Sequence, residues 1–186
     1  MSKIGRIYLT GMMGSGKSTL GRLAAQKLSK SFVDLDTVIE SKVGSSVTEI
    51  FTTQGEAFFR CTESEALIEI SSGIDAIIAL GGGALLRKTN QEFVLRSGTL
   101  VYLSVNAETL YERVGSIKSS AREKRPLLLS TGDAEAGGVT QYENMQRLLA
   151  TRLAGYQRAH LTVDVGGCTQ KVALSRLIAS IISIEE

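Results

Sequence analysis

One proline, one histidine and two cysteines are the whole stock of those residues in this chain of 186. Cys61 and Cys168 stand far apart, in neither a metal-site nor a C-x-x-C spacing, and read as two reduced thiols. With His160 alone, a histidine-based metal cluster is excluded. No apolar run approaches about 18 residues, so no segment spans a membrane. The opening "MSKIGRIYLTG" holds no apolar stretch long enough for a signal peptide, and the cytoplasm is the expected compartment. A net charge of +2 is too small to draw nucleic acid or an anionic membrane, so any electrostatic argument must be local. There is no N-K-x-D guanine motif, no internal repeat and no low-complexity segment. The 43% hydrophobic and 22% charged residues suit one soluble globular domain over 1–186.

Against those absences, short apolar runs alternate with helical patterns. "RIYLT" (6–10), "SFVDLD" (31–36), "DAIIAL" (75–80), "TLVYLS" (99–104) and "LTVDV" (161–165) read as strands. Helical spacing covers 17–29, pieces of 37–72 with breaks near Gly44 and Gly55, 89–97, 107–114, 140–158 and 169–184. Strands separated by helices imply right-handed crossovers, and so an α/β fold with a five-stranded parallel sheet flanked by helices. The stretch between 113 and 139 is polar and irregular and holds Pro126. Its "GDAEAGG" (132–138) is the expected mobile part.

Between the first strand and the first helix lies "GMMGSGKST", Gly11 to Thr19. It matches G-x-x-x-x-G-K-[ST] at Gly11, Gly16, Lys17 and Ser18. Glycines let the backbone curl so that successive N–H groups point inward, and the next helix adds its positive end. Lys17 supplies a point charge for the β- and γ-phosphates, and the Ser18 hydroxyl can ligate Mg²⁺. A chance match in a chain of this length is expected at about 1%. The loop residues Gly14, Ser15, Gly16, Lys17, Ser18 and Thr19 are therefore expected to bind a nucleoside triphosphate or something very like it, which the resemblance given below implies is ATP.

The second strand ends in acids. If it is regular, "VDLD" points Asp34 and Asp36 the same way, at the sheet edge where ligands of open α/β folds bind. One carboxylate, Asp34, could hold Mg²⁺ through water. The other, Asp36, could accept a hydrogen bond from a hydroxyl that attacks the γ-phosphate. The plain alternative is a pair of helix-capping acids.

"GMMGSGKSTLGRLAA", "FVDLDTVIE", "GEAFFR", "LGGGA" and "RPLL" (125–128) follow one another in an order that resembles the shikimate kinases, P-loop kinases of the nucleoside-monophosphate-kinase type. The resemblance implies transfer of the ATP γ-phosphate to the 3-hydroxyl of shikimate, in the pathway to chorismate and the aromatic amino acids. It implies that Arg60 and Arg152 clamp the acceptor carboxylate, a task suited to a planar fork. Asp36 would bind ring hydroxyls, with Gly81, Gly82 and Gly83 letting the ring approach the backbone. Arg125 would act from a lid of about 113–139, and Arg113 would lie against adenine. Lys17, Asp36 and Arg125 are thus the expected catalytic set, with an acceptor-binding part at about 34–72 and a monomer as the expected state. Arg152 shares a helical face with Leu148, Leu149 and Tyr156, so an anionic partner is expected for it.

The stretch between "RPLL" and Arg152, which contains "STGDAEAGGVTQ", is longer than the usual lid of the resembled family. Three alternatives stay open on sequence: surface ion pairs for the arginines, a gluconate-type kinase on the same scaffold, and a non-catalytic nucleotide-binding regulator. Lys17, Ser18, Asp34, Asp36, Arg60 and Arg125 are all present, which counts against the last.

Overall fold

Strand β1 (Ile7–Thr10) is buried along its whole length. Its alternating side chains feed two cores, because successive residues of a strand face opposite sides. Ile7 and Leu9 join the first core, and Tyr8 joins the second. This is a computed structural model, and it describes residues 5–73, 75–115 and 141–184.

The other strands are β2 (Ser31–Asp34), β3 (Ala76–Ala79), β4 (Thr99–Ser104) and β5 (Leu161–Asp164). All pairings are parallel, in the order β2-β3-β1-β4-β5. Helix α1 (Lys17–Lys27) follows the phosphate-type loop. Then come α2 (Leu35–Val43), α3 (Val47–Thr53), α4 (Gly55–Ser71), a 3₁₀ turn (Ala84–Leu86), α5 (Lys88–Ser97), α6 (Ala107–Gly115), α7 (Gln141–Tyr156) and α8 (Gln170–Ile182). The breaks expected near Gly44 and Gly55 are real. Both glycines have positive φ, 76° and 83°, which ends one helix and admits another.

The sheet order decides where the loops meet. β1 is central, with β3 on one side and β4 on the other. The chain leaves β1 and β3 at adjacent points, with Leu80 N–H bonded to the Leu9 carbonyl at 2.9 Å. β2 pairs with β3 so that Asp34 lies opposite Ala79. The phosphate-type loop, the acids and the triple glycine therefore share one edge of the sheet.

Helix α7 adds a fourth contributor. Its Met145 packs in the first core and its Tyr156 in the second, so the helix passes from one face of the sheet to the other. Arg152 lies between them, near Met12 and Gly82, on that same edge. The sole histidine is structural: His160 Nδ1 accepts the Leu100 N–H at 2.9 Å. Both cysteines are free thiols. Among the described residues no helix is long and apolar enough to cross a membrane.

One reading of the second strand is corrected. β2 stops at Asp34, and Asp36 lies in the first turn of α2. Asp34 caps that helix, its Oδ1 accepting the Asp36 N–H at 3.2 Å. A capping carboxylate satisfies an N–H that a longer strand would leave to a neighbour, so the chain turns two residues earlier than alternation suggests.

Candidate active site

A cavity of about 450 Å³ opens at this edge. The loop side of its wall holds Gly14, Gly16, Lys17, Ser18 and Thr19, and Arg113 closes it. The other side holds Asp34, Asp36, Arg60, Glu63, the triple glycine and Arg152. Arg60 and Arg152 come from helices far apart in sequence, yet they face one space.

The loop is built for close approach. Gly11 has φ 142°, and a Cβ there would lie 2.7 Å from the Leu103 carbonyl oxygen, so only glycine fits. Helix α1 starts on Gly16 with no side-chain cap and no acid in its first turn. Its N–H groups and positive end thus remain directed at the cavity. Lys17 Nζ donates to the Gly11 and Met12 carbonyls at 2.8 and 3.1 Å. Ser15 is the exception among the expected loop residues. Its N–H closes a turn to the Met12 carbonyl, and its hydroxyl is buried outside the cavity wall. Arg113 donates to the Gly14 carbonyl (3.5 Å) and the Val165 carbonyl (2.7 Å), bridging the loop and the end of β5. Arg125 and most of the expected lid lie outside the described residues.

The two arginines are held differently. Arg60 is clasped by carboxylates of its own helix. Its NH1 donates to Glu63 at 2.8 Å, and its Nε and NH2 donate to Glu56 at 3.2 Å each. It also lies over the Phe51 and Phe59 rings. Arg152 is 5% exposed. Among the described residues no carboxylate lies within ion-pair distance of it, and its guanidinium donates to the Met12 sulfur at 3.7 Å and to the Tyr156 hydroxyl. A buried guanidinium so placed is prepared for an anion from outside.

Glu63 was not anticipated from sequence. It is fully buried, and its Oε1 has no hydrogen-bond partner among the described residues. Burial raises its carboxyl pKa, against the pull of Arg60. Its position three residues after Arg60 on a helix was a usable signal, but its burial was not readable. Phe51, Phe59 and Tyr156 were likewise missed as neighbours of the site. The glycines are tightly fitted: a Cβ on Gly81 would lie 2.9 Å from both Asp36 Oδ1 and Glu63 Oε1, and one on Gly83 would lie 2.6 Å from Arg60 NH2.

Burial, reinforced by the negative charges of Asp34 and Glu63, raises the Asp36 carboxyl to about 6. A carboxylate with that value still ionises at neutral pH and is a better proton acceptor than an ordinary aspartate. Below about pH 6 it is protonated, so a rate that needs it as base should fall about tenfold per pH unit there. The kcat/KM profile against pH measures this. A midpoint near pH 4 would remove Asp36 from the base role, and Asp36→Asn should lose the acid limb.

A phosphate loop, a shifted aspartate and two buried arginines in one cavity match one group of proteins by sequence as well. The family model described as shikimate kinase matches residues 13–182. This chain belongs to the shikimate kinase family. Members of that family are ATP-dependent phosphotransferases with an alcohol acceptor, and so is this enzyme. A shikimate kinase from Symbiobacterium thermophilum is 36% identical over 176 residues, covering 94% of this chain and 92% of its own. One from Gloeobacter violaceus is 42% identical over 167 residues, covering 90% and 87%. A solved shikimate kinase from Acinetobacter baumannii, in complex with shikimate, superposes with a TM-score of 0.86 at 31% identity, covering 98% of this chain and 96% of that one. A gluconokinase from Sinorhizobium meliloti superposes at 0.58 with 16% identity, a likeness of fold alone.

Proposed function

We propose that the enzyme transfers the γ-phosphate of ATP to the 3-hydroxyl of shikimate, yielding shikimate 3-phosphate and ADP. The observation that carries this reading is the shared cavity: a phosphate loop, Asp36 and two buried arginines line one space. The ATP phosphates rest on the Gly14–Thr19 backbone and the start of α1, with Lys17 against the β- and γ-phosphates. Arg113 lies against the adenine. Arg152 and Arg60 grip the acceptor carboxylate, and the ring rests on Gly81–Gly83. Asp36 takes the proton of the 3-hydroxyl as its oxygen bonds to phosphorus, and the electron pair of the breaking bond leaves with ADP. Little covalent chemistry is asked of the protein; positioning and charge stabilisation carry the rate.

Ser18 and Asp34 both line the cavity and offer only oxygen donors. Among the described residues no cluster of three His, Cys, Asp or Glu side chains could cage a metal. That set fits a small hard cation whose remaining ligands are phosphate and water, as Mg²⁺ prefers. When bound, Mg²⁺ offsets the charge on the β- and γ-phosphates. Ser18 would hold it directly and Asp34 through water. We further propose one kinase unit over 1–186, acting as a cytoplasmic monomer, with an acceptor part at about 34–72 and a lid at about 113–139 that brings Arg125 to the phosphates.

Coupled measurement of ADP release with each candidate acceptor tests the proposal. Release should require shikimate and be negligible with gluconate or with no acceptor. Release driven by gluconate would reassign the acceptor, and ATP binding with no acceptor-dependent turnover would make the chain a regulator.

A further inference from the structure

The Gly81–Leu86 segment has an ordered set of anchors. The Ala84 N–H bonds to the Gly81 carbonyl at 3.1 Å, and the Leu86 N–H bonds to the Gly83 carbonyl at 3.0 Å. Asn90 Nδ2 donates to the Ala84 carbonyl at 3.0 Å, and Gln91 donates to the Leu85 carbonyl. Among the carbonyls of Gly81, Gly82 and Gly83, and among the described residues, only that of Gly82 accepts from a side chain of another helix. The Tyr156 hydroxyl donates to it at 2.6 Å.

Three features make this contact consequential. First, the peptide between Gly82 and Gly83 is trans, so the Gly83 N–H points opposite to the Gly82 carbonyl. Second, glycine on both sides of that peptide leaves no Cβ to oppose its rotation. Third, Arg152 NH1 lies 3.0 Å from the place a Gly82 Cβ would occupy, and Arg60 lies against Gly83. Those two cations attract a carbonyl oxygen. Without an anchor, the Gly82 carbonyl would swing toward them, occupy their donors and turn the Gly83 N–H out of the cavity.

From this arrangement we infer that Tyr156 is a positioning residue, locking the Gly82–Gly83 peptide so that the Gly83 N–H faces the acceptor and the arginines stay open to its carboxylate. Tyr156 is well held for the task. It is 1% exposed and stacks on Tyr102 with ring centroids 5.1 Å apart. Burial pushes its hydroxyl up to about 12, so it remains a donor at neutral pH. It also stands one helical turn beyond Arg152, so one face of α7 sets both the clamp and the turn beneath it. Behind the turn, Tyr156, Gly82 and Arg152 border a second cavity of about 130 Å³.

The functional half of this inference rests on the shikimate reading above; the conformational half does not. Tyr156→Phe keeps the ring and its stacking and removes only the hydroxyl. Its KM for shikimate should rise about tenfold, with kcat and the KM for ATP changed by less than about twofold. An unchanged shikimate KM, or a joint loss in kcat and both KM values, would overturn the lock. A crystal structure of Tyr156→Phe decides the conformational half whatever the acceptor is: the Gly82 carbonyl should be turned toward Arg152, and a carbonyl left in its original orientation would overturn the inference. If the unmodified enzyme releases no ADP with shikimate, the acceptor assignment fails, while the carbonyl orientation still decides the lock.

Discussion

Lys17→Ala should lower kcat by about 10³-fold, as expected when a donor aimed at developing transition-state charge is removed. The Lys17 ammonium is fixed at the mouth of the phosphate loop by the Gly11 and Met12 carbonyls. An ammonium held in advance needs little reorganisation as charge moves onto the leaving phosphate. Its loss therefore belongs in kcat more than in the KM for shikimate, which is bound by other residues. The fold should survive. Two hydrogen bonds from a partly buried ammonium are worth about 1–3 kcal/mol. In a chain of this size each 1 kcal/mol moves the thermal midpoint by about 2–4 °C. Lys17→Arg should rescue poorly, because a planar fork does not replace a compact point charge in a loop of this curvature. Steady-state kinetics with a melting curve checks all of this, and near-normal kcat in Lys17→Ala would refute the assignment.

Arg152→Ala should raise the KM for shikimate by about 10²-fold, the scale of losing one buried partner of a charged pair. The KM for ATP should stay nearly constant. The variant should also be no less stable, and it could melt higher. Arg152 is buried, and the carboxylate that acts on it, Glu63, does so from beyond ion-pair distance, so its desolvation is offset only in part. Removing such a cation relieves a cost that a bound acceptor carboxylate repays. Arg60→Ala offers the contrast. It would strip Glu63, which is fully buried, of its 2.8 Å guanidinium contact, so both acceptor binding and stability should fall. Equal weakening of ATP and shikimate in Arg152→Ala would argue against the clamp.

The single acid limb expected from Asp36 shows how context alters a residue that sequence alone could only nominate. The motif around it was legible, but its geometry was not. Alternation in "VDLD" implied a strand through Asp36, whereas Asp34 caps α2 and places Asp36 in its first turn. Strand and capped helix are close competitors over so few residues, and contacts with β3 and α4 decide between them. Gly44 and Gly55 were readable because a positive φ is a local demand that glycine meets at low cost. Glu63 was not, since its burial requires the sheet and the triple glycine to pack over α4.

By itself the sequence determined whatever depends on near neighbours: the strand–loop–helix at Gly11–Thr19 and the alternation of strands with helices. Tertiary structure alone decided which of these meet. The order β2-β3-β1-β4-β5 sets Gly11 beside the triple glycine with Asp34 one strand further on, and the passage of α7 from one core to the other carries Arg152 and Tyr156 to that edge. Strand order and helix path come from burying two apolar faces of one sheet at once, a condition on the whole chain that no short segment states.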